Sequence, residues 1–145
     1  MSDDANGKPP VLFWIISGVF LVWNAIGLMF YYGQVTMTSE FMVANFTEAQ
    51  VALMESTPVW ATAAYATAVN AGVIASLLLL LRKSWAKPLF LVSLAGVLLQ
   101  DFDAFVLSDV IGAWGTSALY LPIVVLVICG AEIWYSRSVA DRYYR

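Results

Sequence analysis

Two acids, Asp101 and Asp103, interrupt an apolar run over residues 88–107, with Gln100 beside them, and Asn24, Asn70 and Tyr120 interrupt three further apolar runs. Counting about 1.5 Å per residue from the basic end of each run puts Asn24 about 21 Å deep, Asn70 about 17 Å, Gln100 about 18 Å, Asp101 about 20 Å, and Asp103 and Tyr120 about 23 Å. An unpaired polar group in hydrocarbon is costly, so each of these side chains needs a partner or a water-lined cavity. The expected result is one polar intramembrane layer: Asn24, Asn70, Gln100, Asp101, Asp103 and Tyr120. A carboxyl at that depth is either protonated or held in a wet cavity, which suits the binding of a small solute or a proton.

Spacing divides the two acids. Ser93, Gly96, Gln100 and Asp103 recur at three, four and three residues and so share one helical face, which is expected to look into a bundle. Asp101 points about 160° away from Asp103 on a regular helix, so it needs a second helix to the side, a neighbouring subunit or water. Asp103 is therefore the expected acidic member of an internal site with Asn24, Gln100 and Tyr120. The amides also suit plain hydrogen-bond bridging between helices. Glu132 lies about 5 Å from the basic end of its run with Arg137 nearby, which predicts a solvated ion pair. Cys129 reads as a small core residue. Ala64, Ala68, Gly72 and Ser76 form a small-residue stripe at four-residue spacing, expected to pack closely against another helix.

Other chemistries lack their residues. The chain has no His and one Cys, which removes the commonest general base, haem ligation, paired-thiol chemistry and a thiolate zinc site. No phosphate-binding loop is present, and two divergent carboxylates do not build a metal site, so neither an enzyme nor a bound cofactor or metal is expected. Seven Lys and Arg against ten Asp and Glu, a net charge of -3, leave no basic patch for nucleic acid.

The elements that must position the polar residues follow from hydropathy. Of the 145 residues 61% are hydrophobic and 12% charged, and the mean hydropathy is +0.80, outside the range of soluble domains. Apolar runs long enough to cross a hydrocarbon layer of about 30 Å cover residues 11–32, 58–81, 88–107 and 116–135. The expected fold is all-α: one polytopic membrane domain over residues 1–145, an antiparallel bundle of four transmembrane helices with a tail at 136–145. The first run reads as a retained anchor, because its leader carries Asp3 and Asp4 beside Lys8 and no cleavage site follows.

Lys8, then Arg82, Lys83 and Lys87, then Arg137, Arg142 and Arg145 all fall on one side of this arrangement. The positive-inside rule makes that side, with both termini, cytoplasmic. Trp14, Trp85, Trp134 and Tyr135 near the inner boundary, and Tyr31, Tyr32, Trp60 and Trp114 near the outer, fit interfacial belts. Residues 33–57 carry Glu40, Glu48 and Glu55 and no positive charge, and are placed outside. Within them Thr38-Ser39-Glu40 can open a helix and Thr47-Glu48-Ala49-Gln50 is a capping-box pattern, so one broken or two short helices are expected. Met42, Phe46, Ala49 and Leu53 fall on one face, so this extracytoplasmic segment should lie amphipathically over the bundle mouth. Thr57 before Pro58 reads as a cap, and Pro88 as the start of the third helix.

Trp23-Asn24-x-x-Gly27, Gln34-Val35-Thr36-Met37-Thr38, Pro58-x-Trp60-Ala61 and Leu81-Arg82-Lys83-x-Trp85-Ala86-x-Pro88-Leu89-Phe90, running on to Ser93-Leu94 and Gln100, resemble a family of small bacterial inner-membrane proteins labelled as sugar transporters. The likeness covers nearly the whole chain, and Asp101 and Asp103 lie outside its pattern. It implies a bacterial, four-helix protein of the inner membrane. Two functions are consistent with these residues. One is a small transporter or channel-like protein whose polar layer opens to the outer face. The other is an accessory or assembly subunit of a larger membrane complex. In either case the lipid bilayer and a homo-oligomer or foreign subunits are the expected partners.

Overall fold

A computed structural model describes residues 8–144. Asp3, Asp4 and Arg145, which enter the charge argument, lie outside the described residues. Helices dominate and no strand occurs among the described residues. Four helical segments are long and apolar enough to cross a membrane: Val11–Val35, Val59–Leu80, Ala86–Leu107 and Thr116–Ser138. The first is α1 and the second α4, with two short helices between them, α2 (Ser39–Asn45) and α3 (Glu48–Glu55). The third is α5 (Ala86–Phe102) continued by a five-residue π-helical turn, Asp103–Leu107. A short α6 (Val110–Trp114) leads through the 3-10 turn Thr116–Leu119 into α7 (Tyr120–Ser138), and α8 (Ala140–Tyr143) follows.

The helix starts differ from two expectations. Pro58, not Thr57, occupies the cap position of α4, and the Thr57 hydroxyl donates to the Leu53 carbonyl at 3.2 Å. α5 begins at Ala86, so Pro88 is its third residue, still within the first turn where a missing N–H costs nothing. Pro122 likewise sits in the first turn of α7.

α4 packs on both α1 and α5, and α5 packs on α7. One apolar cluster holds Phe13, Ala75, Leu79, Ala86, Phe90 and Val139, with Tyr135, Tyr143 and Tyr144 packed on it. It marks the terminal end of the bundle, where Pro10 and Tyr143 line one small recess. At the other end Tyr31 meets Tyr65 edge to face, ring centres 5.2 Å apart. The stripe Ala64, Ala68, Gly72 and Ser76 is buried inside the chain itself. A Cβ on Gly96 of α5 would lie 2.7 Å from the Ala64 carbonyl oxygen and 2.9 Å from the Ala68 nitrogen, so the small residues bring two backbones together. Ser93 adds a bond across this contact, donating to the Ala68 carbonyl at 2.8 Å.

Short helices cover the Tyr31 end, hereafter the cap end. Thr38 caps α2 by accepting from the Phe41 N–H at 3.2 Å. Thr47 and Gln50 form a reciprocal capping box on α3. The Gln50 side chain also donates to the Ala113 carbonyl of α6 at 3.2 Å, and Phe46 packs on Trp114 with ring centres 5.6 Å apart. Met42, Phe46 and Leu53 are half-buried, whereas Ala49, expected on the same face, is exposed with Glu40, Glu48 and Glu55.

At the terminal end α4 closes with Leu81 as cap. The Arg82 N–H reaches the Leu79 carbonyl at 3.0 Å and the Lys83 N–H the Leu78 carbonyl at 2.8 Å, the paired bonds of a Schellman ending. Arg82 holds the left-handed position at φ 60° and its Nε donates to the Tyr143 carbonyl at 2.7 Å, tying the α4–α5 turn to the tail.

Candidate functional site

The expected single polar layer divides into two sites. The first is a cavity of about 1030 Å³ at the cap end, walled by α1, α4 and α5 and roofed by α2, α3 and α6. Gln100 and Asp103 line it. Asp103 is 7% exposed. The α-helix ends at Phe102 and Asp103 opens the π-helical turn, its carbonyl accepting from the Ser108 N–H at 2.8 Å. Such a widened turn carries one extra residue and re-aims side chains, and turns of this kind recur at functional sites.

The second site lies deeper toward the terminal end. Asn24 Nδ2 of α1 lies within hydrogen-bond distance of three acceptors that share its two hydrogens: Glu132 Oε1 of α7 at 2.6 Å, Ser76 Oγ of α4 at 3.1 Å and the Phe20 carbonyl of its own helix at 2.8 Å. Ser76 in turn donates to the Gly72 carbonyl at 2.8 Å. One amide thus bridges three helices. Gly72 makes room for it, since a Cβ there would overlap the Asn24 side-chain oxygen and stand 3.3 Å from Ser93 Oγ.

Glu132 corrects the expectation of a solvated pair with Arg137. It is 2% exposed, and its partner is Asn24. The physical reason is that α7 continues to Ser138 and the following Val139, Tyr143 and Tyr144 pack over the Phe13 and Leu79 cluster, closing the terminal end above it. A signal for this was present: Cys129, Glu132, Ser136 and Val139 recur at three, four and three residues, and all four are buried. Ser17 and Ser136 are also fully buried at this end, and the Ser17 hydroxyl has no partner among the described residues.

The remaining expected members disperse. Asn24 joins Glu132 rather than Asp103, because it faces Ser76 and Gly72 across α4. Asp101 follows Leu94 and Val97 on the side of α5 that packs against Cys129, Val125 and Leu126, so α7 is its neighbouring helix; one of its carboxyl oxygens is buried without a partner. Asn70 is exposed on the outward face of α4, its amide returned to the Ala66 carbonyl at 2.8 Å. Tyr120 is 70% exposed at the start of α7, away from the interior, since the 3-10 turn before it shifts the helix phase. Gln100 and Asp103 alone of the six line the cavity.

Chemically, the cavity offers one acid, a few amide and hydroxyl groups and apolar walls, a binding chamber rather than a bond-making centre. The second site offers a buried carboxyl held by the Asn24 amide, which the Ser76 hydroxyl in turn contacts. No three His, Cys, Asp or Glu side chains converge as metal ligands among the described residues. No protein-family model matches the chain, and no curated protein or solved structure gives a significant match.

Proposed function

We propose that this is a multi-pass protein of a bacterial inner membrane, an antiparallel four-helix bundle with cytoplasmic termini and residues 33–57 lying amphipathically over its outer mouth. The pairing of Phe13 with Leu79 at one end of α1 and α4, and of Tyr31 with Tyr65 at the other, supports the antiparallel arrangement. Arg82 bonded to Tyr143, and Lys87 over the Tyr144 ring at 5.7 Å, support a basic terminal end and hence its cytoplasmic assignment.

Within this frame the protein acts as a small transporter or channel-like protein, its solute or proton site being the outer cavity. The observation that carries the reading is Asp103, an acid 7% exposed, set in a π-helical turn on the wall of a chamber large enough for a small molecule. The resemblance to proteins labelled as sugar transporters points the same way. Reconstituted into liposomes, the full chain is expected to carry a flux of protons, hexose or organic cation that Asp103→Asn abolishes. Absence of all three fluxes from the wild type refutes the reading.

A second reading, an accessory or assembly subunit, is favoured by Asn70. A polar amide on the lipid-facing side of α4, bonded only to its own helix, suits the interface with another helix, whether of a foreign subunit or of a second copy. Native mass after mild extraction distinguishes these: stoichiometric foreign subunits favour the accessory role.

A further inference from the structure

We propose that the outer cavity binds a bulky organic monocation, such as a quaternary ammonium or phosphonium compound, with Asp103 as its counter-ion. This inference rests on reading the cavity as a ligand site and goes on to assign the ligand's charge and class.

Charge complementarity comes first. Asp103 is the one acid among the residues lining the cavity, and no Lys or Arg lines it. As a residue it is 7% exposed, and it lines the cavity wall. An acid set in a largely apolar wall is complemented by an opposite charge, which a bound cation supplies. The walls then select the kind of cation. Phe30, Phe41, Phe46, Tyr65 and Trp114 place five aromatic rings around the same chamber. Aromatic faces attract a cation, most strongly one with little hydration to lose, and their area rewards apolar substituents.

Other occupants fit less well. A proton alone neutralises Asp103 but leaves about 1030 Å³ of largely apolar chamber unfilled. A hydrated divalent ion wants six or more oxygen ligands, and acidic groups do not cluster here. A hexose needs a polar partner at most of its hydroxyls, whereas of the hydroxyls lining the cavity those of Thr36, Thr38 and Thr57 are already bonded to backbone groups, leaving chiefly Gln34, Thr62, Tyr65, Gln100 and Ser108. An anion meets an acid with no base to offset it.

The test uses the purified full chain in mild detergent and radiolabelled tetraphenylphosphonium, with triphenylphosphine oxide as a neutral competitor of similar bulk. The wild type is expected to bind one cation per chain, with the neutral compound competing poorly. Asp103→Asn should weaken binding by about tenfold or more, as loss of the opposite charge requires. Asp103→Glu keeps the charge and should retain binding, which guards against simple misfolding, and the exposed Glu55→Gln controls for surface charge. No binding by the wild type, unchanged binding in Asp103→Asn, or equal competition by the neutral compound overturns the proposal; the last two outcomes identify an apolar chamber such as one filled by a lipid tail. Cation binding without any flux in liposomes leaves the ligand assignment standing and removes the transport role. Asp103-dependent proton or hexose flux without cation binding does the reverse.

Discussion

Asn24 Nδ2 lies 2.6 Å from Glu132 Oε1, between residues 108 apart in the chain and on helices at opposite ends of the sequence. The same amide reaches Ser76 on α4, so α1, α4 and α7 meet at one side chain. This junction links three helices, two of which, α1 and α4, also wall the cap-end cavity.

Removing the amide should therefore cost stability. Asn24→Ala leaves the buried Glu132 without its donor and is expected to lose about 1–3 kcal/mol, seen as a lower thermal unfolding midpoint in mild detergent. Glu132→Gln keeps the shape and a hydrogen-bonding group, and should lose less. Equal midpoints for Asn24→Ala and wild type would show that the contact contributes nothing in the folded bundle.

Gly72 and Asn24 occupy one space, so their substitutions should not add. Gly72→Ala places a methyl group against the Asn24 side chain and is expected to cost about 1–3 kcal/mol by overpacking. In an Asn24→Ala background the same change should cost much less, because the obstructing oxygen is gone. Gly96→Ala should show no such rescue, since its methyl group meets the Ala64 and Ala68 backbone. A double-mutant cycle on thermal unfolding checks both statements, and additivity of Gly72→Ala with Asn24→Ala would contradict the geometry.

Orientation is open to direct labelling. In a Cys129→Ala background, Ser39→Cys and Ser84→Cys each place one thiol at an exposed position, at the cap end and the terminal end respectively. A membrane-impermeant maleimide should reach position 39 in intact cells and position 84 only after permeabilisation. The opposite pattern inverts the topology.

The tail carries an alkaline transition. Burial pushes the Tyr144 phenol from the ordinary 10.0 up to about 12, with Ser136 alongside pulling more weakly the other way. Its folded-state value lies above the unfolded one, so the stabilising contribution is fully present below pH about 10 and is lost as pH rises toward about 12. Ultraviolet absorbance should show a late-ionising tyrosine that Tyr144→Phe removes, with undocking of the tail in the same interval. A titration curve unchanged by Tyr144→Phe would place the phenol in water.

Hydropathy alone determined that four membrane-length helices form, because runs of this length must satisfy their backbone groups internally, and short-range chemistry at Thr38 and at Thr47 with Gln50 determined where α2 and α3 begin. Periodicity also separated Asp103 from Asp101, and the faces found for them differ as helical geometry requires. Depth counting could not say which polar groups meet. That Asn24 turns to Glu132 while Asp103 opens on the cap-end cavity depends on helix rotation, set by the close approach at Gly72 and Gly96 and by the π-helical turn after Phe102. The burial of Glu132 likewise depends on a tail that folds back over the Phe13 cluster. These are contacts between segments far apart in the chain, and their energies arise only once the helices pack, so periodicity can mark Glu132 as lying on a buried face but not Asn24 as its partner.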